Sequence, residues 1–243
     1  DQLNLSENCQ QILNSFKNKI EKKLYESKNI IGFQTQRPDI FFQDFGRRLS
    51  SDSNIYMSSS KSERNYAYNL AIQVFTDEIR FDDSHFSYYL NNHVLSFGRV
   101  SKWWSPSFNS SLILSNSARP SPGISFSNYQ PKYINSKYLS FLGPVSYEFF
   151  INKLESDRYI ANPLLFGQRI SIQPSQRLNI SLFRTAQLGG DGRKLNPKIF
   201  FDMLIGKDNY SSSDIGKESE PGNQLGGLDV NYLFLKNKNL SLY

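Results

Sequence analysis

Apolar and polar side chains alternate with a period of two along most of the chain after residue 30. The clearest example covers residues 65–75, where Tyr66, Leu70 and Val74 share one face and Asn69 lies on the other. A period of two places successive side chains on opposite faces of a β-strand. The same pattern returns at residues 86–90, 145–151, 178–182 and 228–234. The sequence therefore predicts an all-β fold made of half-buried strands.

The beginning of the chain follows a different period. Ile12, Phe16 and Ile20 recur at helical spacing and form one apolar face. We therefore expect an N-terminal helical segment over residues 1–29, followed by β-strands over residues 30–243.

Short and long connections alternate between the expected strands. Turn-forming residues mark short connections at Asn91-Asn92, at Gly143-Pro144 and at Pro174. The longer, polar connections cover residues 130–136, 155–162 and 189–223. Bacterial outer-membrane barrels have short periplasmic turns and longer extracellular loops. The sequence predicts an antiparallel up-and-down transmembrane β-barrel, with these long loops on one rim and the turns at Asn91 and Pro174 on the other.

Such a barrel also fixes which way the side chains face, because its apolar side chains contact lipid and its interior is polar. The residues expected to point outward are Tyr66, Leu70, Ile72, Val74, Leu178, Ile180, Leu182, Val230 and Tyr232. The residues expected to point inward are Asn69, Gln73, Arg177, Asn179 and Asp229. A soluble sheet gives the same alternation with its apolar face on a core, so the direction of this face separates the two folds.

The end of the chain predicts that the barrel is incomplete. Strands of about ten residues with their connections leave room for about ten spans. Residues 239–243 resemble the start of a further strand. A barrel truncated before closure is expected.

Composition excludes several classes of protein. Aromatic residues make up 14% of a chain whose mean hydropathy is -0.51, which suits a membrane barrel and also a soluble carbohydrate-binding sandwich. The 28 Lys and Arg are scattered, so nucleic-acid binding is not expected. No apolar run is long enough for a membrane helix. Cys9 is the only cysteine, which excludes an intrachain disulfide and a cysteine-based metal site.

Three stretches resemble the capsule assembly protein Wzi family and occur in that family's order. The first is Lys102-Trp103-Trp104-Ser105-Pro106 together with residues 110–120; the second covers residues 184–193; the third couples residues 202–209 to residues 220–229. Ser105 and Leu188 depart from the family pattern, which tends to have Gly and Trp there. The resemblance implies a large barrel plugged by a periplasmic helical segment. It also implies a non-enzymatic outer-membrane protein whose exterior loops bind and anchor capsular polysaccharide at the cell surface.

Trp103 and Trp104 are candidate polysaccharide-binding residues because they fall in an expected extracellular loop. An indole ring can stack on the apolar face of a sugar. Alternatively, both belong to the aromatic girdle at the membrane interface, where Trp and Tyr are enriched.

Arg184, Gln187, Asp191 and Arg193 are further candidates because they lead into the longest loop. A guanidinium such as that of Arg193 pairs bidentately with carboxylates, which are common in acidic capsule sugars. The alternative is a loop held by its own Arg–Asp pairs. The expected partners are thus an acidic capsular polysaccharide and outer-membrane lipid.

Other polar residues have structural explanations. Arg169, Arg177 and Asp229 are expected to face the barrel interior as opposed charges. His85 and His93 fall on opposite faces of one hairpin, so no shared metal is expected, and no cofactor is implied. Two rival functions remain, a porin-like diffusion channel and a soluble β-sheet glycosidase, although no acid pair at a defined spacing supports the latter.

Overall fold

The computed structural model describes residues 27–35, 53–107, 110–114, 118–193, 195–204, 222–234 and 241–242. Their strands form a single antiparallel sheet. The strands are β1 (Ser27–Gln34), β2 (Asn54–Ser62), β3 (Tyr66–Phe75), β4 (Ile79–Arg80), β5 (His85–Leu90), β6 (His93–Arg99), β7 (Pro122–Asn128), β8 (Lys132–Tyr133), β9 (Pro144–Lys153), β10 (Leu164–Ser175), β11 (Leu178–Leu188), β12 (Gln224–Leu233) and β13 (Ser241–Leu242). A 3-10 helix (Ser140–Leu142) precedes β9, and an α-helix, α1 (Pro197–Leu204), follows β11.

The strands follow one another up and down, as the sequence predicts. Hydrogen-bonded neighbours run in the order β1-β2-β3-β5-β6-β7-β9-β10-β11-β12-β13, while the short β4 pairs with β3 and the short β8 pairs with β9. In the described part of the chain β1 and β13 remain the two edges, so the sheet is not closed. The strand expected to begin near the end of the sequence is present as β13.

The alternating stretches are confirmed as strands β3, β5, β9, β11 and β12. The predicted helical segment lies outside the described residues up to position 26 and stays a prediction there. Its last residues, Ser27 to Asn29, are a correction, because they already belong to β1 and pair with β2. Phe33 and Ile31 on that strand are largely exposed.

The apolar side chains of the strands point away from the face that the connections cover. Leu70 and Leu182 are each 61% exposed, and Leu228 on the neighbouring β12 is 56% exposed. The side chains between them are buried: Ser181 is 1% exposed and Thr185 is 3% exposed. We call these the outward and inward faces. Apolar outside and polar inside is the arrangement of a barrel in lipid, and the opposite of a soluble sandwich.

The rim assignment is confirmed for two of the long connections and wrong for the third. Residues 155–162 and 189–223 share a rim, because Leu164 pairs with Lys153 on one side and with Leu188 on the other. The connection at 130–136 lies instead beside Asn92, whose side-chain amide donates to the Gln130 carbonyl at 2.9 Å. It therefore lies on the rim of the short turns.

The cause of this error is the number of strands between the turns. The predicted turn at Gly143-Pro144 is the end of one long connection over residues 129–143, and β9 starts at Pro144. Residues 111–114, part of the predicted serine-leucine strand, are not in a strand either. We call the rim with residues 155–162 and 189–223 the long-loop rim and the other the short-turn rim.

An aromatic cluster lies on the outward face near the short-turn rim. Phe126 stacks on His93 at 5.3 Å and on Tyr147 at 5.8 Å between ring centroids, and His93 Nδ1 hydrogen-bonds the Tyr147 hydroxyl at 2.7 Å. His85 belongs to the other face, so the two histidines are separated as expected, and the described residues contain no group of potential metal ligands. Aromatic side chains of this kind are typical of the girdle at a membrane interface.

Helix α1 covers the outward face at the long-loop rim, and the sequence reasoning did not predict it. The rings of Phe200 and Phe166 meet edge to face at 5.1 Å, above a buried cluster of Phe166, Ala186 and Leu188. Phe201 on the far side of the helix is 62% exposed. Among the described residues no helix has the length and apolar character needed to cross a membrane.

The outward face gives a first testable prediction. Leu182→Arg places a charge on the apolar face and should lower the free energy of folding into lipid vesicles by about 2–4 kcal/mol. Asn179→Arg on the same strand is the matched control, because its side chain lies on the inward face, and it should change folding far less. Urea titration of the full-length protein in vesicles measures both. Equal effects of the two substitutions would contradict the facing.

Candidate functional site

Glu148 holds the connection between β6 and β7, residues 100–121, against the inward face of the sheet. Its Oε1 accepts a hydrogen bond from Lys102 Nζ at 2.5 Å, and its Oε2 accepts one from the Trp104 indole N–H at 2.7 Å. The Lys102 side chain is 7% exposed, so its charge depends on this partner. We call residues 100–121 the inner loop, because its first part folds into the barrel interior.

Two glycines make room for the aromatic rings beneath the inner loop. Trp104 lies 5.3 Å from Phe150 and 6.5 Å from Phe183, between ring centroids. The Phe150 ring covers Gly167, where a Cβ would approach it to 2.1 Å, and the Phe183 ring covers Gly227, where a Cβ would approach it to 2.3 Å. Any larger residue at either glycine would displace a ring. These strand glycines therefore let the aromatic rings lie flat and support Trp104.

The far end of the inner loop is fixed by a second ion pair. Arg119 donates to both carboxylate oxygens of Asp82, at 2.8 and 3.1 Å, and lies 3.5 Å from Glu78. The Asp82 side chain is only 8% exposed. Burial disfavours the charged guanidinium, but the hydrogen bond and charge of Asp82 outweigh it and raise the pKa of Arg119. This fork connects the inner loop to the connection that contains β4.

A third pair lies on the next connection of the same rim. Burial disfavours the charged form of Glu155, but its backbone hydrogen bond and Arg158, at 2.8 Å, outweigh that effect and lower the pKa of the carboxyl group. A lowered carboxyl pKa adds stability that is present above the unfolded-state pKa and lost as pH falls through the folded-state pKa. The pair therefore persists at neutral pH.

A cavity of about 250 Å³ opens between the inner loop and the inward face at the long-loop rim. Phe150, Leu114 and Leu165 form apolar parts of its wall. Polar parts come from the sheet and its connections: Ser121, Asn152, Thr185, Gln187 and Asn223. Lys102, Arg119, Glu155 and Arg158 supply charged lining groups. An apolar wall with a few converging polar groups is the usual composition of a small-ligand site.

The stretches that resemble the Wzi family meet at this cavity. The first contributes Ala118 and Arg119, the second Gln187, and the third Asn223 and Leu225. The second and third stretches touch at Gly222. A Cβ there would lie 3.2 Å from both Arg193 Nη1 and Gln187 Cβ. Residues far apart in the sequence therefore form one site.

The two candidate tryptophans are placed differently from either expectation. Trp104 is 2% exposed and lies inside the barrel, so it neither offers a sugar an open ring face nor belongs to the outward girdle. The indole N–H of Trp103 donates to the Ser107 carbonyl at 2.9 Å within the inner loop. Both residues shape the inner loop.

The candidates of the second stretch are divided between the two faces of β11. Gln187 points inward and lines the cavity. Arg184 shares the outward face with Leu182 and hydrogen-bonds the Gln224 side chain, so the structure does not bring it to Gln187. Asp191 is exposed, and its backbone N–H donates to the Ala161 carbonyl at 2.9 Å. Arg193 is half-buried beside Gly222.

The charges expected inside the barrel form a pair, as predicted. Arg169 Nη2 lies 3.3 Å from Asp229 Oδ2 and also hydrogen-bonds Ser181. Arg177 differs from this expectation, because it lies exposed in the turn between β10 and β11. The pair links β10, β11 and β12 across the inward face.

Sequence reasoning missed Glu148 and Asn152, although a signal for them existed. Tyr147, Phe149 and Ile151 were recognised as one face of β9, which leaves the residues between them on the inward face. A carboxylate and an amide on that face require partners. What the local pattern lacked was the identity of those partners, which lie 44 and 31 residues away.

The sheet and its rim cavity define a barrel-type protein with a ligand-sized site among its long loops. The family model described as "Capsule assembly protein Wzi" matches residues 33–243. The chain belongs to the Wzi capsule assembly family.

Two similar proteins extend this finding. A Klebsiella pneumoniae protein described as an uncharacterized 55.8 kDa protein in the cps region is 31% identical over 141 residues, which cover 58% of this chain and 27% of that protein. The solved structure of Wzi from Escherichia coli, described as an outer-membrane protein involved in group 1 capsule assembly and a carbohydrate-binding β-barrel, is 22% identical with a TM-score of 0.69. The match covers 92% of this chain and 48% of Wzi. The chain thus spans half or less of the length of these relatives.

Glu148 gives the second prediction. Glu148→Gln removes the charge that holds Lys102 and weakens the acceptor for Trp104, which should destabilise the folded inner loop by about 2 kcal/mol. Trypsin should then cut after Lys102 faster, and tryptophan emission should shift to longer wavelength. Glu155→Gln, which removes the carboxylate of the exposed Arg158 pair, is the control and should leave both signals unchanged. An unaltered cleavage rate in Glu148→Gln would contradict the anchoring role.

Proposed function

We propose that this chain is part of an outer-membrane barrel that binds and anchors capsular polysaccharide at the cell surface and so aids capsule assembly. Membership of the capsule assembly family supports the role, and the carbohydrate-binding description of the E. coli protein supports the ligand class. The observation that carries the proposal furthest is the convergence of the three family-like stretches on one rim cavity.

The long-loop rim is proposed to face the cell exterior. Short turns on the periplasmic side and longer loops outside are the rule for bacterial barrels. β1 begins at the short-turn rim, where Ser27 pairs with Lys61, so the segment before it would approach from the periplasm. Outer-membrane lipid is the proposed partner of the outward face, on the support of exposed apolar residues such as Leu70 and Leu182.

The proposed polymer is acidic, and Arg193 is the proposed contact for its carboxylates. In the part of the chain that the structure describes, no carboxylate lies within ion-pair distance of Arg193, whereas Arg119 and Arg158 each have one. Its guanidinium lies beside Gly222 at the mouth of the cavity. Gln187 inside the cavity and Asp191 at its entrance are proposed neighbours of the same polymer. Trp103, Trp104 and Arg184 are proposed to support the site from behind.

The two rival functions receive less support. A diffusion channel needs an open interior, and the inner loop instead folds inward on Trp104 and Glu148. A glycosidase needs a carboxylic acid free to protonate its substrate, and Asp82 is held by both arms of Arg119. We therefore propose binding without catalysis.

Arg193→Ala in the full-length protein tests the proposal. An exposed charge contributes up to about 1 kcal/mol, so retention of acidic capsule should fall about two- to fivefold if each contact is repeated along the polymer. Arg177→Ala is the matched control, because that arginine is exposed on the opposite rim.

The measurement is the ratio of cell-bound to shed polysaccharide at equal barrel levels in the outer membrane. Equal retention in the Arg193→Ala and Arg177→Ala strains would refute the role of Arg193.

A further inference from the structure

The cavity at the long-loop rim has two chemically different walls. Phe150 and Leu165 present apolar surface, and Asn152, Thr185 and Gln187 present amide and hydroxyl groups. Asn152 is oriented by hydrogen bonds from its amide nitrogen to the Ser121 carbonyl and hydroxyl, each at 3.1 Å. A pyranose ring has the matching character, with apolar C–H faces and a rim of hydroxyl groups.

The charges that line the cavity are already compensated within the fold. Arg119 is neutralised by Asp82 and Glu78, Lys102 by Glu148, and Arg158 by Glu155. A ligand carboxylate inside the cavity would compete with these carboxylates and would itself lie near Glu155. Burying a charge without a partner of its own is unfavourable.

We infer that this cavity is a subsite for one uncharged sugar unit of the polymer, while the acidic units are bound outside it at Arg193. The inference rests on the proposed function and refines its ligand class. The volume, about 250 Å³, lies just below the usual range of small-molecule pockets and suits one ring inserted from the chain, with its neighbours remaining outside. Specificity for the repeat unit then comes from amides and hydroxyls, and attraction to the acidic chain comes from the rim.

Matched probes separate the two charges. The methyl glycosides of glucose, galactose and mannose, and the methyl glycosides of the corresponding uronic acids, differ only in a hydroxymethyl group or a carboxylate. Saturation-transfer difference NMR on the full-length protein in detergent measures their binding. At least one neutral glycoside should bind, and its uronic acid counterpart should bind at least about fivefold more weakly because its carboxylate gains no unpaired donor.

Variants locate the binding within the cavity. Gln187→Leu removes one amide and should weaken the neutral glycoside about fivefold, while Gln176→Leu makes the same change in the opposite rim's turn and should have no effect. Asn223→Trp fills the cavity from its exposed edge and should abolish the signal. The heat-dependent gel shift of the folded barrel confirms that each variant folds.

The outcomes distinguish the subsite from the proposed function. Tighter or equal binding of the uronic acids, no neutral glycoside bound, or unchanged binding in both Gln187→Leu and Asn223→Trp would each overturn the subsite. Binding of purified acidic capsular polysaccharide to the wild-type protein is measured alongside. If the polymer binds and the subsite tests fail, only the subsite is wrong; if the polymer does not bind, the proposed function fails and the subsite with it.

Discussion

The sheet turns its apolar face outward, and this forces the polar groups of the other face to satisfy one another. Arg169 and Asp229 meet across β11, and Ser171 and Ser181 share a hydrogen bond at 2.8 Å between them. Buried polar groups without partners would be costly. In a sheet of this kind the inward face cannot be a generic apolar core, so it becomes a set of specific pairs. Each pair fixes the register and position of a particular strand or loop.

The same constraint explains how the site forms. Glu148 is a carboxylate on the inward face, and the inner loop supplies its partners, Lys102 and Trp104. Arg119 secures the other end of that loop on Asp82. With both ends held, the loop stands off the sheet, and the cavity is the space left beneath it. The binding site proposed for capsular polysaccharide is thus a consequence of charge pairing inside the barrel.

Local pattern predicted the strands well because a period of two is a property of neighbouring residues. It also contained information that was not fully used: Arg184 has the same parity as Leu182, and therefore faces outward, away from Gln187. Trp104 could not be placed from the sequence because its partner Glu148 is 44 residues away. The rim of residues 130–136 was misassigned because one apparent turn, at Gly143-Pro144, is only the end of a longer connection. Such errors accumulate in an up-and-down sheet, since each spurious turn reverses the rim of everything that follows.

The facing of β11 is the central claim, and a polarity scan along that strand tests it most directly. An environment-sensitive fluorophore is attached to single cysteines introduced in turn at positions 179 to 184 of the full-length protein, with its other cysteines replaced, and the protein is reconstituted in lipid vesicles. The account predicts short-wavelength emission at even positions such as Leu182, and long-wavelength emission at odd positions such as Ser181. Emission without a period of two, or with the opposite phase, would contradict it.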